Sequence, residues 1–274
     1  MNSQVAFLLL CFVGGTAKVG SQRLGFEPYE GRPEKNSKTL NDIYVGTNAF
    51  IPRTCLDYLQ HGVTSNGYYW LFDKNDNRFM TYCDLSLEPN AAWTLVMSWN
   101  LLSKNLPSFQ TKAFAQDAPI NQNNPNWDAY RQTLARMKSV RSHSTHWRAT
   151  CSFNRPDFQK LPKSIDYRNY LRGRFSSFDI MNFVGSGQCK PVEYVNIRGH
   201  VAGGAGATAK FWQKTNVWLI HIDSSATGCT FAPTEGAVPN EDNFGSYFDV
   251  NNRFRCTAGG QATTQWWFGG YMSN

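Results

Sequence analysis

The apolar residues of this chain come in short runs bounded by turn residues, the pattern of a protein built mainly from strands. YYWLF (68–72) and RFMTYC (78–83) flank DKNDN, a turn made only of Asp, Asn and Lys, and read as two arms of a hairpin. Before them, CLDYLQ (55–60) reads as a turn or two of helix, and HGVTSNG, with its Asn66-Gly67 dipeptide, as a turn. AWTLVMSW (92–99) is a third strand, with Trp93, Leu95 and Met97 on one face and Thr94, Val96 and Ser98 on the other. NVWLIHID (216–223) and TTQWWFGGYM (263–272) read as buried strands. Between 100 and 126 the chain is irregular and rich in Asn, Gln and Pro. From Trp127 to Arg141, Trp127, Tyr130, Leu134, Met137 and Arg141 recur at steps of three and four, which predicts a helix capped by Asn126 and packed on a sheet.

The N-terminus departs from this pattern. Val5 to Val13 is unbroken apolar sequence, too short for the about 20 residues that span a bilayer. It fits the core of a secretory signal peptide, residues 1–17, cut after Ala17 or as late as Ser21. Residues 22–50, punctuated by Gly25, Pro28, Gly31 and Pro33, read as an extended leader, and 51–274 as the folded domain. No later stretch is apolar enough for a membrane span. The expected protein is secreted and extracellular.

Cysteine usage agrees with that compartment. Cys11 leaves with the signal, and Cys55, Cys83, Cys151, Cys189, Cys229 and Cys256 remain, an even set in a secreted chain. No CxxC pair is present to suggest zinc. Strand-like flanks suggest Cys229–Cys256, one of several connectivities that the count leaves open. The composition is aromatic-rich and only 17% charged, which favours an α+β, β-rich, disulfide-stapled domain with few helices over a helical bundle.

Charge changes the functional picture. The formal net charge is +7, and between Arg131 and Arg174 stand eleven Lys or Arg against only Asp157 and Asp166. In a secreted protein the accessible partners of such a segment are anionic glycans or acidic matrix polymers, with no nucleic acid expected. If the predicted helix buries its aromatic stripe, Arg131 and Lys138 turn outward, and with Lys160 and Lys163 they form the expected polyanion-binding set. An alternative is a solvated face whose stems pack on the core.

Motifs for catalysis are missing. There is no GxSxG, HExxH or phosphate-loop spacing, and the glycines of VAGGAGATAK (201–210) mark a loop. His143 and His146 lack an evident third metal ligand. His221, near Asp223 and Ser224, cannot form a triad from adjacent positions and reads as a satisfied strand histidine. The chain is expected not to be an enzyme. Asp73, Asn75 and Asn77 begin like a calcium loop, but the turn already explains them.

The stretch from Cys55 to Ser98 resembles the start of fibrinogen-like C-terminal domains. The resemblance is carried by Cys55, Gly62, Gly67-Tyr68, the Asp73–Asn77 turn, Tyr82-Cys83-Asp84 and Trp93-Thr94-Leu95-Val96. It implies a fibrinogen-like fold and a Cys55–Cys83 bridge, which would stabilise by roughly 3–4 kcal/mol. With that pair set, Cys151–Cys189 follows by elimination. A looser likeness lies near the end, where an acidic stretch, Glu241 to Asn251, precedes Cys256 and Trp266-Trp267. The resemblance implies a weak calcium site there through Asp242 and Asp249. The family's cysteine after the Trp-Trp pair is absent. The whole is similar to divergent fibrinogen-related proteins of invertebrate extracellular and skeletal organic matrices, including those of corals. The function implied is that of a matrix or structural-interaction protein of a mineralised skeletal organic matrix. The alternative implied is a lectin-like protein that binds sugars or acetylated groups with calcium.

Overall fold

The computed structural model describes residues 50–155 and 169–272. The signal and leader readings lie outside these residues apart from Phe50, as do Asp157, Lys160, Lys163 and Asp166. In chain order the elements are α1 (Cys55–Gln60), β1 (Gly67–Phe72), β2 (Arg78–Asp84), β3 (Ala91–Asn100), α2 (Pro107–Gln110), β4 (Ala129–Arg131), α3 (Leu134–Ser142), β5 (His146–Cys151) and β6 (Tyr170–Arg174). Then follow β7 (Gly185–Pro191), β8 (Tyr194–Ile197), β9 (His200–Gly203), β10 (Thr208–Lys214), β11 (Trp218–Asp223), β12 (Asp242–Asn243) and β13 (Thr263–Tyr271). The domain is β-rich with short helices, in keeping with the α+β expectation.

One sheet runs β1-β2-β3-β13-β5-β6-β8-β9, with β4 also on β3; a second runs β12-β11-β10-β7. The β1–β2 hairpin forms where predicted. Its turn is organised by Asp73, whose Oδ1 accepts the amides of Asn75 (2.8 Å) and Asn77 (3.0 Å), so these residues serve the turn. At the N-terminus of α1 the amide of Thr54 donates to Asp57 Oδ2 at 2.8 Å.

The last strand is central. β13 pairs with β3 on one side and β5 on the other. Strand side chains alternate between faces, so Trp266 and Trp267 point to opposite sides. Trp266 enters the main core with Trp147, Leu171, Val195, Phe211 and Ile220, which fills the space between the sheets. Trp267 joins Trp93, Leu95, Tyr130 and Phe153 in a second cluster on the outer face. Trp266 is opposite Met97 and Trp267 opposite Leu95, so Val96 is a bulged residue. The bulge explains why the predicted alternation of β3 breaks: Val96 and Met97 both face the main core.

Gly269 permits the β13–β3 approach. A Cβ there would lie 2.0 Å from Ala92 O. Gly269→Ala is expected to destabilise by about 1–3 kcal/mol, as overpacking does. Gly259→Ala, in open space, should be neutral or slightly stabilising. Urea unfolding midpoints of the two variants check this.

Two expectations are corrected. The helix predicted from Trp127 to Arg141 is instead strand β4 followed by α3. Tyr130 and Arg131 pair with Ser98 and Met97 of β3. The helix starts only after Thr133, whose Oγ1 accepts the amide of Arg136 at 3.3 Å. Asn126 closes a turn rather than a helix, accepting the amides of Asp128 and Ala129. Cross-strand pairing thus overrides a helical spacing.

The bridges are Cys55–Cys83, as the resemblance implied, and Cys151–Cys256 and Cys189–Cys229. The expected pairs Cys151–Cys189 and Cys229–Cys256 are not formed. Cys151 ends β5 beside β13, and the turn leading into β13 carries Cys256. Cys189 lies in the other sheet, on edge strand β7, next to the loop that carries Cys229. Sheet order decides both pairs. Among the described residues no helix is long and apolar enough to cross a membrane.

A candidate anion-binding cleft

Most of the described charge of the basic segment is engaged by partners within the molecule, although only Arg131 and Arg148 are buried and Lys138, Arg155 and Arg174 are exposed. Arg131 is fully buried, and its guanidinium donates to four carbonyls, those of Ser108, Lys112, Ala113 and Gln116, at 2.5–2.9 Å. Burial pushes its pKa down to about 10, so it stays charged at neutral pH. Arg131 is therefore not a polyanion-binding residue. Arg136 packs over Phe79 and donates to Gln122 O and Asn123 Oδ1. Arg141 pairs with Asp179 at 3.2 Å and covers Phe175. Arg148 is buried between Asp84 and Glu88, and Arg172 and Arg174 share Glu193. Lys138 is exposed on α3, where it lines a small cleft with Arg141 and Asp179.

The C-terminal acidic stretch is also internal. Glu241 is buried and accepts from Arg198, Asn243, Asn251 and the amide of Val238. Asp242 Oδ2 accepts the amides of Phe248 (2.7 Å) and Asp249 (3.1 Å), and its Oδ1 lies 3.1 Å from His221 Nε2. Burial drives His221 down to about 4 and Asp242 up to about 7, so the pair favours uncharged forms. His221 is, as expected, a satisfied strand histidine, bonded to Leu219 O and stacked on Trp212. Asp249 is exposed. Both oxygens of Asp242 are thus engaged, and among the described residues no three His, Cys, Asp or Glu side chains are placed to hold a metal ion. Asp242 and Asp249 do not fit a calcium ion. His143 and His146 are not brought together either: His143 is exposed beyond α3, and His146 is buried on β5 facing Glu193.

A different basic site is assembled at the β8–β9 turn. Ile197 pairs with His200, leaving Arg198 and Gly199 as a two-residue turn with φ of 53° and 93°. That mirror-image turn matches the twist of a hairpin but suits Asn or Gly at its first position, not Arg. The Arg198 conformation is held by its partners. Its amide donates to Asn169 Oδ1 at 2.7 Å, and the guanidinium reaches Ser224 Oγ (2.8 Å), Glu241 and Pro233 O (2.6 Å). His200 Nε2 meets Glu235 O at 3.0 Å. Arg198 therefore straps the segment 233–241 to the hairpin. Arg253 lies over Gly236, whose added Cβ would be 3.7 Å from its Nη1.

The result is an open cleft of about 830 Å³ lined by Asn169, Arg198, His200, Glu235, Arg253 and Arg255, with Gly199 and Gly236. Glu241 neutralises Arg198, and exposed Arg253 brings a further guanidinium group to the lining, while Arg255 is held by a partner of its own. Planar guanidinium forks match carboxylate or sulfate oxygens. The cleft can hold an anionic group without chemistry on it. Charge counting missed this site because Arg198, Arg253 and Arg255 lie outside the basic run. Arg198-Gly199 between two strands was the available signal. No protein-family model matches the sequence, and no curated protein matches it.

Proposed function

We propose that this is a secreted matrix or structural-interaction protein that binds anionic polymers, sulfated or carboxylated glycans or acidic matrix chains, without catalysing a reaction. The three disulfides are compatible with an extracellular protein. The observation that carries the reading is the cleft at the β8–β9 turn, with Arg198 and Arg253 in its lining. The fibrinogen-related resemblance and a place in a mineralised skeletal matrix belong to the same proposal.

The expected result is retention on immobilised heparin at low salt and elution as salt rises, since exposed charges are screened over about 8 Å at physiological ionic strength. Arg253→Ser removes one exposed charged contact, worth up to about 1 kcal/mol, so affinity should drop by up to about fivefold with no change in melting temperature. Flow-through of the wild type at low salt would end the proposal. If Lys138→Ser weakens retention as much as Arg253→Ser, the surface of α3 holds the polymer instead of the cleft.

Recognition of sugar rings is a second reading. It is favoured by Tyr68 and Trp70, 46% and 40% exposed on one face of β1, with Arg78 lying 4.2 Å over the Trp70 ring. A glycan array run with and without EDTA separates it from simple charge binding. Neutral glycans held equally in both conditions would favour it.

A further inference from the structure

The wall of the cleft is fastened by a disulfide unlike the other two. Cys55, Cys83 and Cys151 have no exposed surface and Cys256 has 1%, so these bridges are shielded by the core. Cys189 is exposed on edge strand β7, and Cys229 is half-buried. Their bridge anchors residues 224–241, the irregular segment between β11 and β12 that supplies Glu235 and Gly236 to the cleft. Near Cys229 that segment is otherwise held by the core side chain of Phe231 and by hydrogen bonds to β10. Thr230 exchanges hydrogen bonds with Thr208, and the amide of Phe231 donates to Thr208 O at 2.9 Å.

One cation lies close to the bridge. Lys210 of β10 is directly opposite Cys189 in the ladder. Its ammonium donates to Thr227 O and lies 3.3 Å from where a Cβ on Gly228 would be. Cys189 Sγ is 3.4 Å from Gly228 O, so the ammonium and the sulfur both lie against Gly228. Lys190, next in the strand, points to the other face, where its ammonium lies over the rings of Phe178 and Phe183. Thiol–disulfide exchange needs an accessible sulfur and a thiolate, and neighbouring positive charge favours the thiolate both as attacker and as leaving group.

We propose that Cys189–Cys229 is a thiol-exchange site for small or protein thiols, and that its reduction loosens the wall of the cleft. The effect on ligand binding rests on the function proposed above; the exchange chemistry does not. A thiolate attacks the Cys189 sulfur, the S–S bond breaks, Cys229 leaves as thiolate, and a mixed disulfide remains on Cys189. A second thiolate attacks the outer sulfur of that mixed disulfide and releases Cys189. Two thiols become one disulfide, and both cysteines are reduced and take protons from water. The segment then keeps its bonds to Thr208 and Lys210, the buried Phe231 and the Arg198 strap but loses its covalent anchor.

The secreted chain, without the signal peptide that carries Cys11, is treated folded and without denaturant with millimolar reduced glutathione, blocked with N-ethylmaleimide and mapped by mass spectrometry. Label is expected on Cys189 and Cys229 alone, and Lys210→Gln should slow labelling several-fold. Label on none of the cysteines, or on all six together, overturns the exchange site. In parallel, the Cys189→Ser/Cys229→Ser double variant should elute from heparin at lower salt than the wild type, with circular dichroism unchanged. Elution at the wild-type salt concentration overturns the coupling to the cleft. If the variant does not fold, the same comparison is made on wild-type protein carrying label only at these two cysteines. A wild type that never binds heparin sinks the polymer-binding reading and the coupling to it, while the labelling pattern still decides the exchange site.

Discussion

Replacing Arg148 by methionine is expected to lower stability by about 3–5 kcal/mol, the cost of breaking a buried ion pair from one side. That is a large part of the roughly 5–15 kcal/mol that holds a typical domain. Arg148 faces outward from β5, with Trp267 of β13 opposite on one side and Arg172 of β6 on the other. Two arginines directly opposite would repel. Glu88 prevents this by bonding both, Oε1 to Arg148 at 2.7 Å and Oε2 to Arg172 at 3.2 Å. Asp84 adds a contact to Arg148 at 2.6 Å, and Tyr170 and Tyr271 donate to Glu88. The rings of Trp93 and Trp267 lie 4.6 and 4.9 Å from the guanidinium carbon. Methionine would fill the volume but leave Asp84 and Glu88 buried without their main partner.

The pH dependence gives this prediction a second readout. Burial pushes the Glu88 carboxyl up, but Arg148, Tyr170 and Arg172 outweigh it and hold it below its ordinary 4.5. A depressed folded value means the stabilisation is complete above about 4.5 and is lost as pH falls through the folded value. The deficit of Arg148→Met should therefore be largest near neutral pH and shrink in acid, where protonated carboxyls no longer need a cation. Chemical unfolding of both proteins from pH 7 to pH 3 measures it. A deficit that is constant across that range would show lost packing rather than lost charge pairing.

Much of the frame was legible because it is local. The β1–β2 hairpin, β3, β11 and β13 are aromatic and apolar runs with turn residues at their ends, and all are strands. The rest depends on which strands become neighbours. β13 inserts between β3 and β5 although it comes last in the chain, and that insertion decides the Cys151–Cys256 bridge. It also creates the outer aromatic face on which Arg148 is buried. The cleft depends on long-range contacts too: Arg198 meets Glu241 and Pro233 only because β12 and the segment before it return beside the β8–β9 hairpin. Charge density along the sequence carries no information about these meetings, so the basic run looked like a surface.

Arg131 shows the consequence most directly. Read as one charge of an exposed patch, its replacement by serine would leave the fold intact and weaken polyanion binding. The structure gives the opposite expectation. β4 places Arg131 under residues 108–116, the end of α2 and the loop after it, and its guanidinium donates to four of their carbonyls, of which Ala113 O also accepts the amide of Gln116. Arg131→Ser leaves these acceptors short of a donor and opens a cavity. Each carbonyl left unsatisfied costs about 1–3 kcal/mol, and water entering the cavity offsets part of the sum. A net loss of about 4 kcal/mol or more is the expected outcome, exceptional for a single substitution. Arg131→Lys should recover little, because an ammonium has three donors and no planar fork. Lys138→Ser, seven residues further on and exposed, should change stability by no more than about 0.5 kcal/mol. Denaturant unfolding of the three variants checks the ranking. An Arg131→Ser protein as stable as Lys138→Ser would mean that the 108–116 segment does not depend on this guanidinium, and would return Arg131 to the surface patch first inferred from charge.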